Sequence, residues 1–90
     1  MEAKRIVAWN LRRLRVAAGV SQDDLALSAG VDRGYVGRAE RGSVNSTIGT
    51  LDKLAAALSV HVSEFLREPP AGESPIEPLK GGRKRSAKVD

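Results

Sequence analysis

Glycines at positions 19, 30 and 42 close three successive apolar patterns, and all three patterns have helical spacing rather than strand alternation. Val7, Leu11, Leu14 and Ala18 recur at i, i+4, i+7 and i+11, one stripe of an amphipathic helix. The stripe predicts a helix over about Ala3 to Ala18, stopped at Gly19. Ser21-Gln22-Asp23-Asp24 reads as the next start. Ser21 is placed to accept backbone N–H bonds, and two aspartates sit where a helix N-terminus favours negative charge. Leu25, Ala26 and Ala29 give this second helix, about Gln22 to Ala29, its apolar face, and Gly30 ends it. Asp32 is predicted to cap a third helix over about Arg33 to Arg41, with Val36 and Ala39 inward and Gly42 at its end. After a polar loop from Ser43 to Ser46, Thr47 caps a fourth, about Ile48 to Leu58, in which Ile48, Leu51, Leu54, Ala55 and Leu58 keep helical spacing. A last turn or two is predicted over Val62 to Leu66, after Val60-His61. The fold class is therefore all-α, with five helices and no sheet.

The apolar residues belong almost entirely to residues 1–68. Residues 69–90 open on Pro69-Pro70, hold all four prolines and carry Gly81-Gly82 before Arg83-Lys84-Arg85. Such a segment buries too little apolar area to offset the entropy of ordering it, so it is expected to be a disordered basic tail on a 1–68 domain. The domain holds ten basic and eight acidic residues and the tail five and three, which splits the net charge of +4 evenly. Lys80, Arg83, Lys84, Arg85 and Lys88 are candidates for non-specific attraction to phosphate. Aromatic residues are only 3% of the chain, so the core must be built from aliphatic side chains. A domain this small buries only about 60% of its unfolded surface, and such a core is thin.

Several function classes drop out on composition. The absence of cysteine excludes disulfide staples, thiolate zinc sites and cysteine nucleophiles, and a single histidine excludes a multi-histidine metal site. No apolar run approaches the roughly 20 residues of a membrane span, and no apolar leader stands at the N-terminus, so a cytoplasmic protein is expected. No serine–histidine pairing, strand-borne phosphate loop or positioned acid–base pair points to an enzyme, and no cofactor or metal is expected.

Gln22 to Ala29, then Gly30-Val31-Asp32, then Arg33 to Arg41 make two short helices on one tight glycine turn, a helix-turn-helix geometry. Gly30 suits a positive φ, small Ala26 allows close approach, and Val31 plugs the gap. With the stretches Asn10-Leu-Arg-Arg-Leu-Arg15, Gly19-Val-Ser-Gln-Asp-Asp-Leu-Ala26, Ala29-Gly-Val-Asp-Arg33, Tyr35-Val36, Arg38-Ala-Glu-Arg-Gly42, Asn45 and Thr50-Leu-Asp-Lys-Leu-Ala-Ala-Ala-Leu58, the chain resembles the Xre-type, lambda-repressor-like (Cro-type) helix-turn-helix family over residues 7–66.

That resemblance implies a five-helix DNA-binding domain that seats its third helix in the major groove. It implies that Gln22 contacts the DNA backbone and that Arg33 and Arg38 reach base edges or phosphate. Tyr35 would reach phosphate or sugar, and Asn45, Ser46 and Thr47 would hold the opposite backbone. Arg15 and Glu40 match an architectural ion pair between the first and third helices. The partner implied is double-stranded DNA, bound by a homodimer on a near-palindromic operator. Val60, Val62, Phe65 and Leu66 are the dimer surface expected, and repression by occupancy is the action expected, without a small-molecule effector domain. An antitoxin or a restriction-modification controller has the same fold.

Gly34 and Gly37 stand where relatives place groove-facing side chains, and each glycine costs about 1 kcal/mol of helix stability against alanine. They suggest a further alternative, a protein-interaction adaptor that has lost base reading. Ala39, where relatives carry a larger aliphatic residue, implies a loose core beneath the third helix. Arg12 and Arg13 have an ordinary reading as a solvated face, His61 as a cap, and Trp9 as a packing residue against the last helix or a second subunit.

Overall fold

The structure, a computed structural model, describes residues 2–70 of the chain. Four α-helices and one short 3-10 turn make the fold: α1 (Ala3–Ala18), α2 (Gln22–Ala29), α3 (Tyr35–Glu40), α4 (Ile48–Leu58) and the turn Val62–Leu66. No strand occurs among the described residues. The expected fifth helix is thus the 3-10 turn, and all of the expected tail beyond Pro70 lies outside the described residues.

Local chemistry accounts for most of the boundaries. Ser21 Oγ accepts from the Asp24 N–H at 3.0 Å, and Thr47 Oγ1 accepts from the Thr50 N–H at 3.0 Å. His61 Nδ1 caps the last turn by accepting from the Ser63 N–H. Gly30, at φ 73°, ends α2 in the left-handed region. Its N–H donates to the Leu27 carbonyl, and the Val31 N–H donates to that of Ala26.

Asp32 does not cap α3. The turn into α3 is made by the Asp32 backbone carbonyl, which accepts from the Tyr35 N–H at 2.9 Å. Gly34 holds the N-cap position in a right-handed helical conformation without any side-chain bond. The helix therefore begins two residues later than the spacing suggests. Arg33 lies in the turn before it.

The core is a layer of aliphatic side chains closed by one aromatic. Leu11, Leu25, Val36, Leu54 and Phe65 are all but inaccessible, with Val7, Leu14, Ala26, Ala29 and Leu58 around them. Burying each large side chain contributes about 1.5–3 kcal/mol. α1 packs on α3 and on the 3-10 turn, while α2 packs on α3 and α4. Two apolar residues fall off the stripes. Ala18 and Ile48 are exposed because they occupy helix ends that project past the packed layer. Ala39 is buried and, with Val7 and Val44, lines a cleft of about 110 Å³ beneath α3.

One polar residue ties α1 to the 3-10 turn. Asn10 is fully buried. Its amide nitrogen donates to the carbonyls of Ile6, Phe65 and Arg67 at 3.1, 3.0 and 2.7 Å. Arg13 continues the contact by donating to Asn10 Oδ1 and Glu64 Oε1, with its guanidinium 5.5 Å from the centre of the half-buried Trp9 ring. The C-terminal turn is thereby fastened to α1, and Phe65 is carried into the core. Asn10→Ala leaves buried carbonyls without donors and is expected to cost roughly 1–3 kcal/mol. Urea denaturation followed by circular dichroism measures the loss.

Candidate nucleic-acid interface

A charged cluster at the junction of three helices fixes the helix-turn-helix. Glu40, on α3, is 1% exposed. Its carboxylate accepts from Arg15 Nε and, at 3.1 Å, from Arg15 Nη2, both from α1. It also accepts from Gln22 Nε2, on α2, at 3.0 Å. Arg15 Nη1 donates to the Val20 carbonyl at 2.8 Å, so most of its fork is occupied. A buried carboxylate needs this many donors to offset its lost hydration.

Gln22 therefore points its amide at Glu40 in the free chain, while the residue as a whole remains accessible. The neighbouring glycine makes that possible. A Cβ on Gly37 would stand 3.3 Å from Gln22 Oε1 and 3.4 Å from Arg41 Nη1. One on Gly34 would stand 2.9 Å from Arg38 Nη1. Both glycines leave room for side chains that approach from elsewhere.

Gln22, Asp23, Arg33, Gly34, Gly37, Arg38 and Arg41 line a shallow open trough of about 490 Å³ along α3. The Arg33 side chain is 85% exposed and donates through Nε and Nη2 to Asp23 Oδ2, at 3.3 and 3.1 Å. Arg38 reaches Asp32 Oδ2 at 3.5 Å. At the start of α3, the Tyr35 hydroxyl hydrogen-bonds Ser46 Oγ, which fixes the loop after α3 to the helix. Asn45 is exposed beside that bond, and Thr47 is engaged in its cap. Arg41, Asp23 and Asp32 were not among the sequence candidates. Arg41 was legible from its spacing, four residues after Gly37 on the same helical face.

The expected dimer residues separate. Phe65 is 0% exposed within this one chain, so it is a core residue and is not available to a second copy. Asn10 explains the difference, since its bond to the Phe65 carbonyl draws that residue onto α1. Val60 and Val62 are half-buried at the core's edge, and Leu66 is 56% exposed. Among the described residues no group of three histidine, cysteine or carboxylate side chains is arranged to hold a metal, and no helix is long and apolar enough to cross a membrane.

The helix-turn-helix family model HTH_3 matches residues 11–65, which span α1 from Leu11 to the last turn. The chain belongs to this family. It is 41% identical over 66 residues to the control protein C.SmaI of Serratia marcescens, covering 73% of this chain and 79% of that one. To a Neisseria meningitidis serogroup B protein described as a hypothetical transcription factor it is 38% identical over 68 residues, or 76% of this chain and 64% of that protein's length. Among solved structures, the restriction-modification controller C.AhdI of Aeromonas hydrophila superposes with a TM-score of 0.67 at 42% identity. That match covers 69% of this chain and 94% of the other.

Proposed function

We propose that this family member is a sequence-specific DNA-binding transcriptional regulator that acts as a homodimer on a near-palindromic operator. The observation that carries the reading is the trough. Three exposed arginines, Arg33, Arg38 and Arg41, line a concave face that the Arg15–Gln22 cluster on buried Glu40 holds in one orientation. A guanidinium so placed can donate two bonds to guanine O6 and N7 in the major groove. Asn45 and the N-terminus of α4 lie beside α3, where a backbone strand would pass. Repression then follows from occupancy of a promoter. The adaptor alternative rests on Gly34 and Gly37, which carry no side chain toward the groove, and the selection experiment below separates it from the regulator reading.

Selection from a random duplex pool tests the proposal. The full chain is expected to enrich one near-symmetric motif whose half-sites repeat about one helical turn apart, roughly 34 Å. Affinity for it is expected to fall steeply as salt rises, because phosphate contacts release counterions. No enriched motif at any salt concentration would contradict the reading. Similarity to C.SmaI and C.AhdI favours a specific version, control of a restriction-modification operon. The enriched motif would then lie upstream of a restriction or methyltransferase gene, and its absence there removes this version alone.

Dimerisation is assigned to Val60, Val62 and Leu66. Leu66→Asp is expected to weaken self-association by about tenfold or more, since roughly 1.4 kcal/mol lost at an interface has that effect. The monomer's melting temperature should hardly change, as Leu66 is already exposed. Sedimentation equilibrium reads the first quantity and calorimetry the second.

A further inference from the structure

Two of the trough's three arginines are held by carboxylates in the free chain. Arg33 rests on Asp23, and Arg38 on Asp32. The side chains are at least 44% exposed, so these pairs add little to stability in water. Nor does either carboxylate complete a helix start. The Asp24 N–H, not Asp23, closes the Ser21 cap, and Asp32 opens α3 through its backbone carbonyl. Gly34 keeps the approach of Arg38 clear, since a Cβ there would crowd its Nη1 at 2.9 Å.

The consequence for charge is specific to this face. Arg33, Arg38 and Arg41 line the trough with Asp23, and Asp32 meets Arg38 from beside it, so Arg33 and Arg38 are each matched by a carboxylate and these five groups together carry only +1. Binding to arbitrary duplex is driven by basic side chains that displace counterions. A carboxylate beside Arg33 and one beside Arg38 weaken that attraction and repel phosphate whatever the base sequence. A phosphate also offers a guanidinium two acceptors, but it carries the charge that the displaced carboxylate repels. A neutral base edge with two acceptors in the right place gives the bonds without that repulsion.

Resting on the DNA-binding reading above, we infer that Asp23 and Asp32 are specificity determinants. They hold Arg33 and Arg38 away from unselected duplex and release them to a matching base edge. Discrimination then comes from a repulsive element as well as from attractive contacts.

The test measures affinity of the full chain for its selected duplex and for a scrambled duplex of equal length, over a range of salt. Asp23→Asn, Asp32→Asn and the double variant are compared with the parent. Glu68→Gln serves as a control that makes the same change in net charge away from the trough. Each aspartate variant is expected to gain about three- to tenfold on scrambled duplex, with a steeper salt dependence, and less than about twofold on the selected one. Melting curves check that each variant is folded. An unchanged or improved ratio of selected to scrambled affinity overturns the inference. So does an equal gain from Glu68→Gln, which would make the effect one of net charge. A parent chain that prefers no sequence overturns the regulator reading, and this inference with it. A parent that selects a site while its variants keep the parent's ratio overturns the inference alone.

Discussion

Glu40→Ala is expected to lower stability by about 3–5 kcal/mol, the usual cost of removing one partner from a buried ion pair. The carboxylate is 1% exposed and the Arg15 side chain 12%, so the arginine left behind stays largely out of water without a counter-charge. The Gln22 amide loses its acceptor at the same time. Small domains are stable by only about 0.05–0.15 kcal/mol per residue, so this loss removes a large share of the total stability. The pair itself is a weaker contributor than its loss suggests. Burying two charges is costly, and apolar replacements of similar volume often match a buried pair. The double variant Arg15→Met, Glu40→Leu is therefore expected to recover much of the loss, as measured by urea denaturation. It lacks the fork that aims α3, so its affinity for the selected duplex should not return with its stability. A cost below about 1 kcal/mol for Glu40→Ala would mean that the cluster does not organise the three helices.

The second large effect falls on recognition and leaves the fold intact. Arg33→Ala removes an 85% exposed side chain whose only partner among the described residues is an exposed aspartate, so stability should stay within about 0.5 kcal/mol of the parent. Affinity for the selected duplex should fall by roughly 1–3 kcal/mol per half-site, the discrimination carried by one bidentate arginine–guanine contact. A homodimer loses that contact twice. Affinity for scrambled duplex should fall less, by about three- to tenfold, because the loss leaves Asp23 unpaired and shifts the trough by one unit of charge. Gel-shift titrations on both duplexes separate the two quantities. Equal losses on both would assign Arg33 to phosphate rather than to a base edge.

The features legible in the sequence were those decided within a few residues. Ser21 and Thr47 announce α2 and α4 because a cap is a bond to the third residue onward. The stripe of Val7, Leu11 and Leu14 gives α1 because helical spacing is itself the signal. Misreadings arose where a distant partner decides. Asp32 has the composition of a cap, yet its carboxylate turns to Arg38, six residues on, while Gly34 takes the cap position. Phe65 looked available to a second copy because a short terminal turn shows no obvious inward face. Its burial depends on Asn10, 55 residues earlier. Gly34 and Gly37 read as lost contacts along α3, and the space beside them holds the ends of the Arg38 and Gln22 side chains, which no local pattern announces.

Methylation interference on the selected duplex asks most directly whether this face sits in the major groove. Dimethyl sulfate methylates guanine N7 on the major-groove edge and adenine N3 on the minor-groove edge. With Arg33 and Arg38 at base edges, guanine N7 methylation within both half-sites should block binding, and adenine N3 methylation there should be tolerated. Binding that tolerates N7 methylation throughout and fails on N3 methylation would put the trough outside the major groove and contradict the assignment of α3 as the reading helix.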